Sequence, residues 1–207
     1  MKSPKRPDAN LSANNMAKTK ATLSEVRLIA GKYRGRKIRF KEAPGLRPTG
    51  DRLRETLFSW LQTKLPGARC LDLFTGSGAL GFEAASRGAA LVHMVEFNRE
   101  SHQMLQKQQQ ELQASEIQLF HTDALQFLDA QSQAYDVIFL DPPFNGDWLA
   151  RVLPIIAQKQ LLNENGLIYL ELERQSAWPA LPPQWHWYRQ KEAGQVKYGL
   201  AQRQCPD

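Results

Sequence analysis

Between Arg69 and Glu171, short apolar runs alternate with stretches of helical hydrophobic periodicity, and that order leaves few folds open. Strands are expected at Cys70–Phe74, Leu91–Glu96, Ile117–Phe120, Tyr135–Leu140 and Leu167–Glu171. Helices are expected after a glycine-rich turn to about Arg87, from Arg99 to about Gln113, from about Ala124 to Ala130, and from Trp148 to Gln158. Strands joined by helices pair in parallel through right-handed crossovers, so the pattern predicts an α/β, doubly wound, mostly parallel sheet. Two strand-like segments between Trp185 and Gln202 have no helical pattern between them, and they predict a closing antiparallel pair.

The chain before this alternation differs in charge. Residues 1–54 hold 15 Lys and Arg against 4 Asp and Glu, while the remainder holds 12 against 17. A basic front on an acidic body points to a polyanionic partner, nucleic acid ahead of an anionic membrane, with a plain solvated tail as the alternative. Residues 1–23 are polar and aperiodic, and are expected to form a disordered basic tail. Val26–Phe40 reads as a strand pair or irregular hairpin across Gly31 and Gly35, within an extension at residues 24–50. A loop covers Pro44–Gly50. Asp51 is then expected to cap a helix running to about Lys64, with Leu53, Leu57, Phe58, Trp60, Leu61 and Leu65 on its buried face. Arg52 and Arg54 start this helix against the preference of its dipole, which suggests a partner that needs them there. With Arg47 and Thr49 nearby, the expected RNA contacts are Arg27, Lys32, Tyr33, Arg34, Arg36, Lys37, Arg47, Thr49, Arg52 and Arg54. Cations interleaved with an aromatic suit phosphate contact plus base stacking.

No run approaches the roughly 18 apolar residues of a membrane span. Lys2, Lys5 and Arg6 are not followed by an apolar signal-peptide segment, and Cys70 and Cys205 have no metal-ligand or redox spacing. The expectation is a reduced cytoplasmic protein, monomeric, with neither metal nor membrane association.

Leu71-Asp72-Leu73-Phe74-Thr75-Gly76-Ser77-Gly78-Ala79-Leu80-Gly81 follows a strand and opens a helix, and Glu96 lies 20 residues after Gly76 at the next strand's end. That is dinucleotide-fold context, though the glycines alone do not separate a nicotinamide cofactor from S-adenosylmethionine. Asp72 favours the latter. A carboxylate there repels a pyrophosphate and attracts a sulfonium or ammonium by roughly 4 kcal/mol before desolvation. Otherwise Asp72 bonds the loop. Glu96 is expected to accept from ribose hydroxyls, and Asp123 from an adenine amine or as a helix cap. The expected cofactor contacts are Asp72, Phe74, Gly76, Ser77, Gly78, Glu96, Phe97, Asp123, Ala124 and Asp141.

Tyr135–Leu140 ends in Asp141-Pro142-Pro143-Phe144. The lone pair of an exocyclic base amine is delocalised into its ring. A carboxylate on Asp141 and the Pro142 carbonyl accepting its two N–H groups draw the nitrogen toward tetrahedral geometry and aim the lone pair at a methyl. Phe144 offers a stacking face, and the prolines stiffen the acceptors, so the expected catalysis is orientation and preset electrostatics. Asn145, Asp147 and Trp148 border this loop. The four histidines lack ligand spacing, and Gln103–Gln113 reads as a polar helix face. Trp178, Trp185 and Trp187 are expected to pack the last strands.

The tetrad and the glycine loop together resemble the amino-methyltransferases of class I, whose targets include adenine, cytosine, guanine and glutamine amides. Arg27-Leu28-Ile29-Ala30-Gly31-x-Tyr33-Arg34-Gly35-Arg36-Lys37-Ile38, Arg47-Pro48-Thr49-x-Asp51-Arg52-x-Arg54-Glu55-x-Leu57-Phe58 and Lys197-Tyr198-Gly199 narrow the resemblance to the RsmD family, over about residues 26–203. Membership implies a Rossmann-like seven-stranded methyltransferase sheet, mostly parallel with an antiparallel last strand, in a domain over residues 51–207 behind an N-terminal hairpin. It further implies S-adenosylmethionine as cofactor and the N2 amine of a 16S ribosomal RNA guanine, guanine 966, in small ribosomal subunits as target. Other readings are a DNA amino-methyltransferase, a nicotinamide oxidoreductase, a non-catalytic RNA-binding module and a protein glutamine methyltransferase. The sequence has no spare stretch of about 100 residues for a target-recognition domain, Asp72 disfavours nicotinamide, the tetrad is intact, and the basic front end disfavours the last.

Overall fold

The computed structural model describes residues 23–41, 50–144 and 146–204. Arg47, Thr49, Asn145, Cys205 and the tail before Leu23 lie outside the described residues. The elements are β1 (Leu23–Arg27), β2 (Lys37–Lys41), α1 (Asp51–Trp60), β3 (Arg69–Asp72), α2 (Ala79–Ser86), β4 (Leu91–Val95), α3 (Arg99–Leu112), β5 (Ile117–Phe120), α4 (Ala124–Ala130), β6 (Tyr135–Leu140), α5 (Trp148–Gln158), β7 (Leu162–Glu173), β8 (Trp185–Ala193) and β9 (Val196–Arg203). No helix among them is long and apolar enough to cross a membrane.

Seven strands form one sheet in the order β5-β4-β3-β6-β7-β9-β8. The pairs β4/β5, β3/β4, β3/β6 and β6/β7 are parallel, and β9 runs antiparallel to both β7 and β8. The strand alternation therefore reads correctly as a mostly parallel α/β sheet with an antiparallel close. The chain winds outward from β3 to β5 and then returns to β6 on the other side of β3. This reversal opens a crevice at the carboxyl ends of β3 and β6, where ligands bind in open α/β sheets.

Alternation along the strands builds two cores. Cys70, Val137, Phe139 and Tyr169 face α1, α2 and α3, while Leu71, Ile138, Leu140 and Leu170 face α4 and α5. Residues two apart share a face, so each strand feeds both layers. Asn98 caps α3 by accepting from the Ser101 N–H at 3.0 Å, and Asp123 caps α4 by accepting from the Leu125 N–H at 2.9 Å. Two local expectations change. Gly50, not Asp51, precedes the first helical residue, and the Asp51 carboxylate pairs with Arg54 at 2.7 Å instead of capping. The helix also ends at Trp60 rather than near Lys64, because Pro66 follows and the chain tightens into turns at Leu61–Leu65. β7 starts earlier than expected, at Leu162, its polar Asn163-Glu164-Asn165 run having hidden the strand pattern.

β1 and β2 pair antiparallel with Val26 opposite Ile38, and bury Val26, Ile38 and Phe40 on one face. The connecting loop is fastened to α2. Glu83, fully buried, accepts the Ile29 and Ala30 N–H groups at 2.8 and 3.1 Å, and Ser86 Oγ accepts the Tyr33 N–H at 3.0 Å. Gly31 sits at φ +82° where a Cβ would lie 1.7 Å from the Ser86 carbonyl oxygen, so only glycine allows this approach. On the other side Gln108 of α3 is buried and donates to the Arg39 carbonyl, which makes it a structural tie within the polar helix face.

Candidate active site

A cavity of about 720 Å³ occupies the crevice at the carboxyl ends of the parallel strands. That is within the range of small-molecule sites, roughly 300–1,000 Å³. Phe74, Gly76 and Ser77 reach it from the turn after β3, Glu96 and Phe97 from the end of β4, Asp123 and Ala124 from the end of β5, and Asp141, Pro142, Pro143 and Phe144 from the end of β6. Four segments far apart in sequence thus meet because parallel strands all end on one side. Trp148 joins them at the start of α5 and meets the Phe74 ring edge-on at 5.5 Å. Asp147 precedes α5 and is exposed.

Glu96 is held from both sides, accepting from the Gly76 N–H at 2.9 Å and the Asn98 N–H at 2.7 Å. Its carboxyl is shifted upward, chiefly by burial, although both N–H groups oppose the shift. Phe97 and Phe144 are 75% and 44% exposed, unusual for large apolar rings, and both line the cavity. Uncovered aromatic faces at a cavity mouth suit planar ligands.

Glu171, at the carboxyl-terminal part of β7, is a cavity residue that the sequence reading passed over. It is buried and its Oε2 accepts from Tyr169 OH at 2.6 Å. Burial, then the charge of Asp141, pushes its carboxyl up to about 8. A cavity with two such reluctant carboxyls, Glu96 and Glu171, fits a ligand that carries positive charge, since a cation lowers each shifted acid. Gly50, Arg52 and Leu53 at the start of α1 and Ala193, Gln195 and Val196 at the β8–β9 turn complete the rim, and Thr122 lies on the β5 side. Arg52 belongs to the Arg-rich segment singled out in the sequence, but no local motif marks the others. They become neighbours only when α1 and the last strands pack onto the sheet.

Four expected contacts are corrected. Asp72 is 1% exposed and turned into the junction of β3 and α2, where Oδ2 accepts the Gly81 N–H at 3.0 Å. It therefore bonds the loop rather than lining the cavity, and burial pushes its carboxyl up to about 8. Gly78 also stands outside the cavity lining. It takes φ +83° before α2, against Leu105 and Phe82, where a side chain would clash. Tyr33 is buried and donates its hydroxyl to Glu116, which removes it from base stacking. Arg54 is fully buried among Asp51, the Arg27 carbonyl and Glu83, and cannot reach RNA. Arg27, Lys32, Arg34, Arg36 and Lys37 are exposed, with Lys32 paired to Glu116 and Lys37 to Glu25. Arg52 is exposed at the cavity rim. Trp178 and Trp187 pack together at 4.5 Å under the last strands, as expected.

The model of a family described as conserved hypothetical protein 95 matches residues 26–202. The chain is 41% identical over 181 residues to ribosomal RNA small subunit methyltransferase D of Escherichia coli (strain K12), covering 87% of this chain and 91% of that protein. It is also 41% identical over 183 residues to the protein of the same name from Haemophilus influenzae, covering 86% of this chain and 94% of that one. The solved structure of yhhF from Escherichia coli superposes with a TM-score of 0.79 at 41% identity, covering 88% of this chain and 100% of that chain.

Proposed function

This chain belongs to the RsmD family, whose model is the one described as conserved hypothetical protein 95, and on that premise we propose that it is a ribosomal RNA methyltransferase acting on the N2 amine of a guanine. The proposed target is guanine 966 of 16S ribosomal RNA, presented in small-subunit particles. Its cofactor is S-adenosylmethionine. The observation that carries the reading is a single cavity joining the Asp141-Pro142-Pro143-Phe144 loop to the ends of β3, β4 and β5.

S-adenosylmethionine supplies an electrophilic methyl on a sulfonium. Glu96 at the end of β4 would hold its ribose hydroxyls, the Phe97 ring its adenine face, and the backbone at Gly76 and Ser77 the rest. On the substrate side, the Asp141 carboxylate and the Pro142 carbonyl accept the two N–H bonds of the amine. The Phe144 ring stacks on the base, a contact worth about 1–3 kcal/mol. Pro142 and Pro143 offer no N–H of their own and restrict the backbone, so the acceptors keep their direction without reorganisation. Asp141 also takes the proton that the nitrogen sheds on methylation.

The test is transfer of labelled methyl to ribosomal RNA, free and in small subunits, followed by nucleoside analysis. N2-methylguanine in small-subunit RNA, formed faster on particles, is the expected product. Methylation of another base would overturn the assignment.

The exposed cations of the β1–β2 hairpin supply the proposed RNA surface. Among the described residues Arg34 and Arg36 form no ion pair, whereas Lys37 shares Glu25 with Arg39. Replacing Arg34, Arg36 and Lys37 by Gln should weaken RNA binding. It should also make the log–log salt dependence shallower by up to about 0.9 per lost phosphate contact on duplex RNA, less on single strands. An unchanged slope would count against this surface.

A further inference from the structure

We propose that Glu171 determines the base specificity of this site, its carboxylate accepting the ring N1–H of the target guanine while Asp141 accepts from the adjacent amine. The inference rests on the guanine-N2 reading above and deepens it. β6 and β7 are parallel neighbours with Leu140 opposite Leu170, so Asp141 and Glu171 are the next residues on adjacent strands. Such strands lie about 5 Å apart. Alternation places both on the face shared by Phe139 and Tyr169, and both line the cavity. The Tyr169 hydroxyl fixes the Glu171 carboxyl at 2.6 Å, and Glu171 is opposite Tyr198 in β9. On that reading both N–H groups of the amine are taken by Asp141 and the Pro142 carbonyl, which leaves Glu171 to the neighbouring ring edge.

The chemistry of the base edge supplies its part. Guanine carries two adjacent kinds of donor, the ring N1–H and the N2 amine, and two neighbouring carboxylates match them. Adenine and cytosine carry a ring nitrogen lone pair next to their amine. A carboxylate facing that lone pair has no proton to accept, and the two repel. A donor and a positively charged ligand beside Glu171 both favour its ionised form, the form that discriminates.

The test uses small subunits reconstituted with guanine or 2-aminopurine at the methylated position. 2-Aminopurine keeps the amine but lacks the 6-oxo group and has a lone pair at N1, so the change of ratio in the Glu171 variant is the reading that counts. The wild-type protein should prefer guanine by roughly 100-fold or more in kcat/KM, as expected when a buried acceptor loses its donor. In Glu171→Gln, whose amide can turn either its oxygen or its NH2 to the ring, the preference should fall to within roughly tenfold. A purely structural role for Glu171 would slow both substrates alike and leave the ratio at its wild-type value, which overturns the proposal. Should Glu171→Gln fail to fold, the wild-type ratio can still overturn the proposal: a value near unity would mean that no group of the site reads the ring N1–H. Nucleoside analysis separates the two levels. A wild-type product other than N2-methylguanine defeats the guanine reading itself, whereas N2-methylguanine with an unchanged ratio defeats only the role of Glu171.

Discussion

Asp141→Ala is expected to reduce methyl transfer by about 10²–10³-fold or more in kcat, with binding of S-adenosylmethionine largely intact. The asymmetry follows from position. Asp141 leaves β6 at the end of the cavity proposed for the substrate, whereas the turn at Gly76, Glu96 and Asp123 come from β3, β4 and β5. Alanine removes one of the two acceptors proposed to hold the amine and also the proposed base for its proton, but leaves the neighbouring strand ends unchanged. It also removes a charge that, after burial, helps to raise the carboxyls of Asp72 and Glu171, so both should fall somewhat while burial keeps them raised. Single-turnover transfer of labelled methyl, with titration calorimetry of the cofactor, measures both halves. Full activity in the variant would sink the role given to Asp141. Loss of cofactor affinity in proportion to activity would move Asp141 from the amine to the cofactor.

Glu83→Ala should destabilise the fold by about 3–5 kcal/mol, the usual cost of removing one partner from a buried ion pair. Glu83 is fully buried in α2, bonds Arg87 Nε at 2.7 Å, and lies 3.8 Å from Nη1 of the equally buried Arg54. It also accepts two N–H groups of the β1–β2 loop. Arg54 Nε and Nη1 already have no hydrogen-bond partner, so losing this carboxylate leaves the guanidinium held only through Nη2, by Asp51 and the Arg27 carbonyl, and leaves two backbone donors beside it unpaired. Urea unfolding should show a lower midpoint at similar slope. The double variant Glu83→Leu with Arg54→Met removes both charges together and should lie nearer the wild type than Glu83→Ala does. A single-variant loss under about 1 kcal/mol would mean that water reaches this cluster.

Some of the molecule was legible in the linear order. The bounds of α4, α5 and β6 follow from period and punctuation, because Asp123, the turn before Trp148 and the paired prolines are local signals. The Asp-Pro-Pro-Phe loop and Glu96 announce themselves as polar or rigid residues at strand ends. Arg52 and Arg54 show where this kind of reading stops. Two positions apart on one helix, they look alike in sequence, yet one is exposed at the cavity rim and the other is fully buried. What separates them is the approach of the β1–β2 loop and α2, which no local pattern encodes. Asp72 is similar: its charge pointed to a ligand, but its backbone places the carboxylate under the Gly81 N–H.

The sequence alone determined the layered α/β class, the strand ends that carry chemistry and the basic front, because periodicity, glycine, proline and charge act over a few residues. Only the tertiary structure decided which carboxylates share the cavity and which cations remain outside. Those outcomes depend on the strand order around β3 and on the register of Leu140 with Leu170. Parallel pairing sets both through contacts between segments far apart in the chain, so Glu171 becomes a neighbour of Asp141 only after β6 and β7 have paired.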